Sequence, residues 1–131
     1  MRRLLWPDDN TADREAREFF EGHGSSLTAA AFMAIDGDNK PLGFIELSIR
    51  LYSDGCESSP VPHVEGWFVM PEARGRGIGS ALMAAAEEWA RERGFTELAS
   101  DTETHNERSL HAHVRLGFEE VERLIKLRKR L

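Results

Sequence analysis

The clearest pattern along the chain is a helical repeat of apolar residues in its second half. Positions i, i+4, i+7, i+8 and i+11 share one face of a helix, and here they are Ile78, Leu82, Ala85, Ala86 and Trp89. Gly94 follows at a position that favours the end of this helix. A shorter helix is predicted from Asn106, which can cap its first turn, to about Leu116, with Gly117 just beyond it.

Strand-like segments surround these helices. The apolar stretches 27–35 and 42–50 are separated by the turn sequence Asp-Gly-Asp-Asn-Lys, so they predict a β-hairpin. Residues 63–70 predict a strand with an interior glycine, Gly66, and such a glycine often marks a bulge or a close backbone approach. Residues 95–100 predict a further strand.

The two ends of the chain complete the predicted order of elements. Residues 11–21 predict a helix, and the segment 118–131 has a strand-like sequence that predicts two strands. Strands alternate with helices in the second half, whereas the first half contains the hairpin. The sequence therefore predicts a single α/β domain over residues 1–131, built on a mixed sheet.

Composition is typical of a soluble globular protein. The chain has 131 residues, of which 40% are hydrophobic and 31% charged. No apolar run approaches the roughly 20 residues that a membrane span needs, and the N-terminus does not resemble a secretory signal. Cys56 is the single cysteine, which favours a reducing compartment. We therefore expect a cytoplasmic protein without a membrane partner.

The net charge of −6 is unevenly distributed. The tail 123–131 holds five of the 17 basic residues and no acid, which leaves 12 basic against 23 acidic residues, or −11, in the remainder. A body this acidic is a poor nucleic-acid binder, so we expect no nucleic-acid partner. Its charge can attract a cationic small molecule, although solubility alone is a sufficient explanation.

The stretch Arg74-Gly75-Arg76-Gly77-Ile78-Gly79 lies directly before the predicted long helix. Glycines allow several backbone N–H groups to point into one concavity, and a helix N-terminus adds unpaired donors and partial positive charge. Arginines can add charge-assisted hydrogen bonds. The stretch therefore predicts a phosphate or pyrophosphate site, and the alternative is an ordinary glycine-rich turn with solvated arginines.

This stretch resembles the [QR]-x-x-G-x-[GA] acetyl-CoA loop of the GNAT superfamily of N-acetyltransferases. The segments GCESSPV, VEGWFVMP, ASDT, HVRLGFEEVER and LRKRL more narrowly resemble the aminoglycoside 6′-N-acetyltransferases. The resemblance implies the GNAT fold, with a mixed, mostly antiparallel sheet and flanking helices, and acetyl-CoA as cofactor. The cofactor-binding residues that it implies are Phe68, Val69, Arg74, Gly75, Arg76, Gly77, Ile78, Gly79, Ser80, Asn106 and Ser109.

The resemblance begins at about Trp6, and one departure from the family pattern stands before it. Family members begin with a strand and a longer first helix, whereas this chain starts near the end of that helix. We therefore expect the first strand to be missing, the sheet edge to be exposed and the N-terminus to be short.

The reaction implied by the resemblance is direct acetyl transfer to the 6′-amine of an aminoglycoside in a ternary complex. The ammonium must lose a proton, which a nearby carboxylate can accept directly or through water. Asp101 is expected to anchor the amine, and Glu65 is the expected base. The alternatives are a capping role for Asp101 and a surface position for Glu65. A backbone N–H of the 67–70 strand is expected to stabilise the oxyanion.

The resemblance places His113 where many GNAT enzymes have a tyrosine that protonates the leaving thiolate. Histidine titrates near neutrality and could act as this general acid, or it could only pack or hydrogen-bond. Asn106 matches a residue that touches the pantetheine arm, and the alternative is a plain helix cap. Cys56 is not expected to carry the acetyl group, and no metal is predicted.

The remaining predictions concern substrate and assembly. Trp6 and Tyr52 match positions that contact the aminoglycoside by stacking on its sugars, or they pack in the core or a lid. Glu103 is a further expected substrate contact because its charge suits a polycation. Subunits of the resembling enzymes exchange strands, so a homodimer is expected. Two other functions stay open: acetylation of another small amine, and binding of acyl-CoA without catalysis.

Overall fold

The computed structural model describes residues 3–5 and 28–131. Its strands form one sheet in the order β1 to β5, with the bounds β1 Arg3–Leu5, β2 Thr28–Ile35, β3 Pro41–Arg50, β4 Val61–Val69 and β5 Ala99–Ser100. The pairings from β1 to β4 are antiparallel, and β4 pairs with β5 in parallel. The mixed, mostly antiparallel sheet is therefore confirmed.

Two α-helices follow β4 in the chain. Helix α1 spans Ile78–Glu92, helix α2 spans Glu107–Arg115, and a short 3-10 helix, Pro71–Ala73, precedes α1. The predicted apolar face of α1 packs on β2, β3 and β4, where its Leu82 and Ala86 are fully buried. Removing this apolar face from water is the main stabilising contribution of the helix.

The hairpin predicted for the first half is formed by β2 and β3. Its turn is closed by Asp36, whose Oδ1 accepts hydrogen bonds from the backbone N–H groups of Asp38 at 2.8 Å and Lys40 at 3.0 Å. Those two backbone hydrogen bonds hold the pKa of Asp36 below its usual value. The turn chemistry read from the sequence therefore specifies the register of the hairpin.

A β-bulge interrupts the pairing of β3 with β4, next to the predicted interior glycine. Glu46 lies opposite Gly66 and Leu47 lies opposite Val64, so Glu65 is the extra residue and has no partner across the ladder. Bulges redirect a side chain and increase the local twist of a strand. The bulge thus places a carboxylate at the point where β4 leaves its regular pairing.

The edge of β4 that faces away from β3 differs between the two halves of the strand. It pairs with β5 only at His63 and Val64. In the part of the chain that the structure describes, no strand pairs with that edge between Glu65 and Val69. The two strands therefore separate where the chain runs toward the glycine-rich loop, which leaves backbone groups of β4 available to a ligand.

Three predictions of secondary structure are wrong in part. A strand is present at the start of the chain, because β1 pairs with β2 from Arg3 opposite Ile35 to Leu5 opposite Met33. The strand predicted for 95–100 is limited to β5. Phe95, at the start of the predicted strand, instead caps the C-terminal end of α1: its N–H donates to the carbonyl of Ala90 at 3.0 Å.

The tail 118–131 is the third correction, because it contains neither of its two predicted strands. Its large apolar side chains are exposed, including Ile125 at 84% and Leu127 at 90%. A strand needs a partner for its backbone groups and for its apolar face, and the described part of one chain provides neither. The helix predicted for 11–21 lies outside the described residues.

Within the described residues, no helix is long and apolar enough to cross a membrane.

Candidate active site

The glycine-rich loop begins where β4 ends and stops at the first turn of α1. Gly75 and Gly77 both have φ of +80°, a left-handed conformation that strongly favours glycine. Gly77 is also the N-cap residue of α1. A Cβ atom at either glycine would meet nothing within 4 Å, so the space in front of the loop is open.

The two arginines of the loop stabilise its backbone. Arg74 Nε donates to the carbonyl of Val69 at 3.0 Å, and its guanidinium lies 5.7 Å from the ring centre of Phe68. Arg76 Nη2 donates to the carbonyl of Glu72 at 3.2 Å. A guanidinium has five N–H donors, so the Arg74 side chain can also donate to an anion. The loop is therefore cationic and conformationally defined.

The loop fits the diphosphate of a coenzyme A molecule. Open space at two left-handed glycines, the N-terminus of a 15-residue helix and two adjacent guanidinium groups are the features that bind phosphate. The other predicted cofactor residues surround it: Ile78 is buried, Gly79 accepts a hydrogen bond from Trp67 Nε1 at 3.1 Å, and Ser80 is exposed.

Phe68 and Val69 lie on the part of β4 that no described strand pairs on its outer edge. The Phe68 side chain is 40% exposed and tilts against Phe44, with ring centres 6.0 Å apart. Val69 is half-buried. Both residues therefore lie between the bulge at Glu65 and the glycine-rich loop.

Glu65 is held by a dense set of hydrogen bonds on the sheet. Ser48 Oγ donates to its Oε2 at 2.5 Å, and Arg50 donates to both oxygens at 3.0 Å. Partial burial is the largest single influence and raises the pKa of Glu65. The hydrogen bonds from Ser48 and Arg50, together with nearby charge, outweigh it and leave the pKa below its usual value. Glu65 is therefore a stable anion and a weak base.

His63 connects the two predicted catalytic carboxylates. Its Nδ1 lies 3.3 Å from Glu65 Oε2, and its Nε2 lies 3.5 Å from Asp101 Oδ2. The ring is buried, with 3% of the side chain exposed, whereas Asp101 is 68% exposed. The sheet thus brings Glu65 and Asp101 to opposite ends of one imidazole.

The residues Ser48, Arg50 and His63 were absent from the predicted site. One sequence signal could have found His63, because it lies two positions before Glu65 on a predicted strand and alternate residues share a face. The bulge at Glu65 interrupts this alternation of side chains in β4. Nothing local to the sequence indicates Ser48 and Arg50, since they depend on the register of β3 against β4.

His113 occupies a well-defined buried position on α2. Its Nδ1 lies 2.7 Å from the carbonyl oxygen of Ser109, which accepts its proton, and its Nε2 lies 2.7 Å from Ser100 Oγ. Trp67 and Phe118 pack edge-on against the ring, with ring centres 5.0 and 5.1 Å away. Both ring nitrogens therefore have partners, which fixes the ring orientation.

Asn106 caps helix α2 as predicted. Its side-chain oxygen accepts a hydrogen bond from the backbone N–H of Ser109 at 3.1 Å. The cap satisfies one of the free donors of the first helical turn. Asn106 and Ser109 both lie on the first turn of α2, and the β4–β5 pairing joins this part of the chain to the carboxylate cluster.

The predicted substrate residues are only partly described. Tyr52 is exposed after β3, and a hydrogen bond with Asp54 raises the pKa of its hydroxyl. Glu103 is exposed, and its Oε2 lies 3.0 Å from His105 Nε2. Trp6 lies outside the described residues. The structure therefore places the two described residues on exposed segments and shows no contact between them and Glu65.

Glu97 anchors the loop that contains Cys56. It accepts hydrogen bonds from the backbone N–H groups of Glu57 at 3.0 Å and Ser58 at 2.6 Å. Burial, and secondarily the charge of Glu97, raise the pKa of the Cys56 thiol. A thiol of this kind is a poor nucleophile at neutral pH, consistent with the expectation that Cys56 does not carry the acetyl group.

A cavity of about 470 Å³ lies elsewhere, between the C-terminal ends of α1 and α2. Its walls include Cys56, Glu97, Phe118 and Val121, and none of the predicted site residues lines it. Part of this wall belongs to the tail that contains no strands. The candidate active site therefore lies at the glycine-rich loop and the carboxylates, and not in this cavity.

Comparison with known proteins agrees with these features. Residues 1–118 match the Acetyltransferase (GNAT) family. The match covers most of the chain, so the chain belongs to the GNAT acetyltransferase family and is an acetyl-CoA-dependent N-acetyltransferase.

The individual relatives narrow the comparison to one group of these enzymes. The chain is 46% identical over 133 residues to the aminoglycoside N(6′)-acetyltransferase type 1 of Klebsiella aerogenes, covering 100% of this chain and 87% of the relative. It is 43% identical over 136 residues to the protein of the same name from Salmonella typhimurium (strain LT2), covering 99% and 88%.

Solved structures give the same result. The structure of AAC(6′)-Iy in complex with the bisubstrate analogue CoA-S-monomethyl-acetylneamine matches with a TM-score of 0.80 and 34% identity, covering 100% of this chain and 99% of that one. The 6′-N-acetyltransferase AAC(6′)-Ih from Acinetobacter baumannii matches with a TM-score of 0.79 and 27% identity over the same shares. The predicted GNAT fold and the narrower resemblance are both confirmed.

Proposed function

We propose that this enzyme acetylates the 6′-amine of aminoglycosides by direct attack in a ternary complex. One observation carries the assignment of the site: Glu65 and Asp101 belong to one cluster, beside the open edge of β4 that leads to the glycine-rich loop. Acetyl-CoA supplies the activated acetyl thioester when it is bound. The residues that would hold it are those of the loop 74–80, with Phe68, Val69, Asn106 and Ser109 along its arm.

The carboxylates Glu65 and Asp101 bind the acceptor amine as an ammonium ion. The exposed Asp101 reaches the incoming cation first, whereas Glu65 is fixed by Ser48 and Arg50 and provides a stable anion. Glu65 accepts the ammonium proton directly or through a water molecule, which leaves a neutral amine able to attack. Tyr52, Trp6 and Glu103 contribute to the aminoglycoside surface of the cleft.

Charge that develops on a carbonyl oxygen needs a fixed donor. The backbone N–H groups of β4 between Trp67 and Val69 lie on the stretch that no described strand pairs along its outer edge, which supports this role. His113 is the proposed proton source for the leaving thiolate. Since Nδ1 keeps its proton on the Ser109 carbonyl, the donor would be the imidazolium: its Nε2–H would pass a proton to Ser100 Oγ at 2.7 Å, and the Ser100 hydroxyl would give its own proton to the thiolate.

We also propose that the enzyme is a homodimer that works in the cytoplasm, with residues 1–131 as one domain and no nucleic-acid partner. Support for the dimer comes from the tail, whose apolar side chains are exposed, and from β5, which pairs over only two residues. A tail strand from a second copy would pair backbone groups and bury these side chains. The single cysteine supports the reducing compartment.

The function is tested by the structure of the product. Purified enzyme is incubated with acetyl-CoA and kanamycin A, release of CoA is followed, and NMR locates the acetyl group. We expect acetylation at the 6′-amine. A second arm offers spermidine and glucosamine. Turnover of these amines without turnover of kanamycin A would replace the proposed substrate class, and CoA binding without turnover of any amine would contradict the proposed catalysis.

A further inference from the structure

The buried imidazole between the two carboxylates is not explained by the reaction as described so far. His63 lies at a position of β4 opposite Ser48 on β3 and Ala99 on β5, in the middle of the sheet. An apolar side chain would pack there without the cost of desolvating two ring nitrogens. A histidine at such a position therefore needs a chemical reason.

The hydrogen bonding of the ring is incomplete. His63 Nδ1 is buried and has no hydrogen-bond partner, although Glu65 Oε2 is only 3.3 Å away. A buried polar atom without a partner is destabilising, because it loses its hydration and gains no hydrogen bond in exchange. Nδ1 therefore faces a carboxylate across a gap that a proton on either group would convert into a charge-assisted hydrogen bond.

The charges around the ring act in opposite directions. Burial is the main cause that lowers the pKa of His63, and Arg50 on β3 lowers it further, whereas Glu65 on β4 and Asp101 after β5 raise it. The net pKa lies below the usual 6.5, so the ring is neutral at neutral pH in the free enzyme. It is a vacant proton site beside two anions.

Glu65 alone does not hold the proton of the amine well. Ser48 and Arg50 stabilise its charged form, so a proton placed on Glu65 is readily lost. His63 Nδ1 is buried without a hydrogen-bond partner and lies 3.3 Å from Glu65 Oε2. It is therefore the neighbouring group that can take up that proton.

From this geometry we propose that His63 is a positioning residue that relays the proton of the acceptor amine, acting behind Glu65 and beside Asp101. The ammonium gives one proton to Glu65, Glu65 passes it to His63 Nδ1, and the ring becomes an imidazolium between two carboxylates. After the product leaves, the ring returns one proton to water by way of either carboxylate and is neutral again. The inference rests on the proposed function of Glu65 and Asp101.

The kinetic test compares pH profiles of the full-length enzyme with kanamycin A. His63→Gln keeps a polar side chain without a titrating group, His63→Phe keeps a flat ring, and His111→Gln on the exposed side of α2 is the control. We expect both His63 variants to lower kcat by about 10- to 100-fold. We also expect them to remove the acid-side inflection of kcat/KM below pH 6.5, with affinity for CoA within about twofold of the wild type.

The result that overturns the relay is an unchanged inflection in a folded His63 variant, or a kcat within about twofold of the wild type. A second measurement does not depend on folded His63 variants or on any substrate. NMR of the histidine side chains in the wild type should show one ring that titrates below 6.5 and shifts to lower pH in both Glu65→Gln and Asp101→Asn. A His63 ring that ignores both changes contradicts the proposal.

These outcomes separate the relay from the function on which it rests. Wild-type enzyme that does not acetylate kanamycin A contradicts the proposed substrate, whatever the histidine spectra show. Wild-type enzyme that acetylates kanamycin A while His63→Gln retains the wild-type pH profile contradicts the relay alone.

Discussion

The glycine-rich loop and the carboxylate cluster are built in opposite ways. The loop is one continuous stretch, 74–80, and its shape follows from two left-handed glycines before a helix. The cluster takes Arg50 from β3, His63 and Glu65 from β4, and Asp101 from the end of β5. A site made of neighbours in sequence can be recognised as a motif, whereas a site made by strand register cannot. Substitutions should separate the two.

The largest expected effect is on the cluster. Asp101→Asn and Glu65→Gln should each lower kcat/KM for kanamycin A by about 10²- to 10⁴-fold, because they remove an anion that binds the ammonium or accepts its proton. Affinity for CoA, measured by calorimetry, should stay close to the wild-type value. Glu88→Gln, at an exposed ion pair on α1, is the control for loss of one carboxylate. If the cluster variants lost CoA affinity as strongly as they lost kcat/KM, the two regions would not have separate roles.

Substitution in the glycine-rich loop should have the opposite result and weaken the binding of CoA. Gly77→Ala adds a Cβ in front of the loop and strains a residue with φ of +80°, so CoA affinity should fall by about tenfold or more. Gly94→Ala is a matched control, since Gly94 has φ of +83°, has open space around it and lies at the other end of α1. Both variants should lose similar stability in chemical denaturation. If Gly94→Ala weakens CoA binding equally, strain and not the loop is responsible.

The tail adds a third kind of region, one that a second chain would complete. Ile125→Asp should raise the dimer dissociation constant by about tenfold or more, because the dimer would bury this side chain. Leu51→Asp is the control, because the two side chains are almost equally exposed in one subunit, 84% and 81%. Sedimentation at several concentrations measures the effect. A monomeric wild type would contradict the proposed exchange of tails. Equal dimer dissociation constants for the two variants would contradict it as well.

The smallest expected effect is the contribution of Glu65 to stability. Its pKa is lowered in the folded protein, so its stabilisation is present above the ordinary value of 4.5 and is lost as the pH falls through the lower folded value. The free energy of unfolding of the wild type should exceed that of Glu65→Gln by on the order of 1 kcal/mol at pH 6 to 7. This difference should shrink below pH 4.5. Urea unfolding at a series of pH values checks this. A difference that grows toward acid would reverse the assigned sign.

Local signals were read correctly where one segment decides its own structure. The helical repeat and Gly94 predicted α1, Asn106 predicted the cap of α2, and Gly66 predicted the bulge. Each of these depends on contacts within a few residues or on one amphipathic face. The loop belongs to the same group, because its glycines and its helix are consecutive.

Non-local pairing explains the errors. The strand expected at 95–100 is short because β4 separates from it after Val64, and that separation cannot be read from either strand alone. The tail mixes apolar and basic residues, yet a strand forms only where a partner exists. His63 was missed because its importance arises from Asp101, 38 positions later in the chain.

The sequence by itself determined the long helix, the hairpin, the glycine-rich loop and the acidic character of the body, since each depends on the composition or order of neighbouring residues. Only the tertiary structure decided which side chains meet Glu65. The register of β3, the bulge of β4 and the short pairing with β5 bring Ser48, Arg50, His63 and Asp101 together. Their interactions depend on distances of a few ångströms between strands, and chain order does not specify such distances.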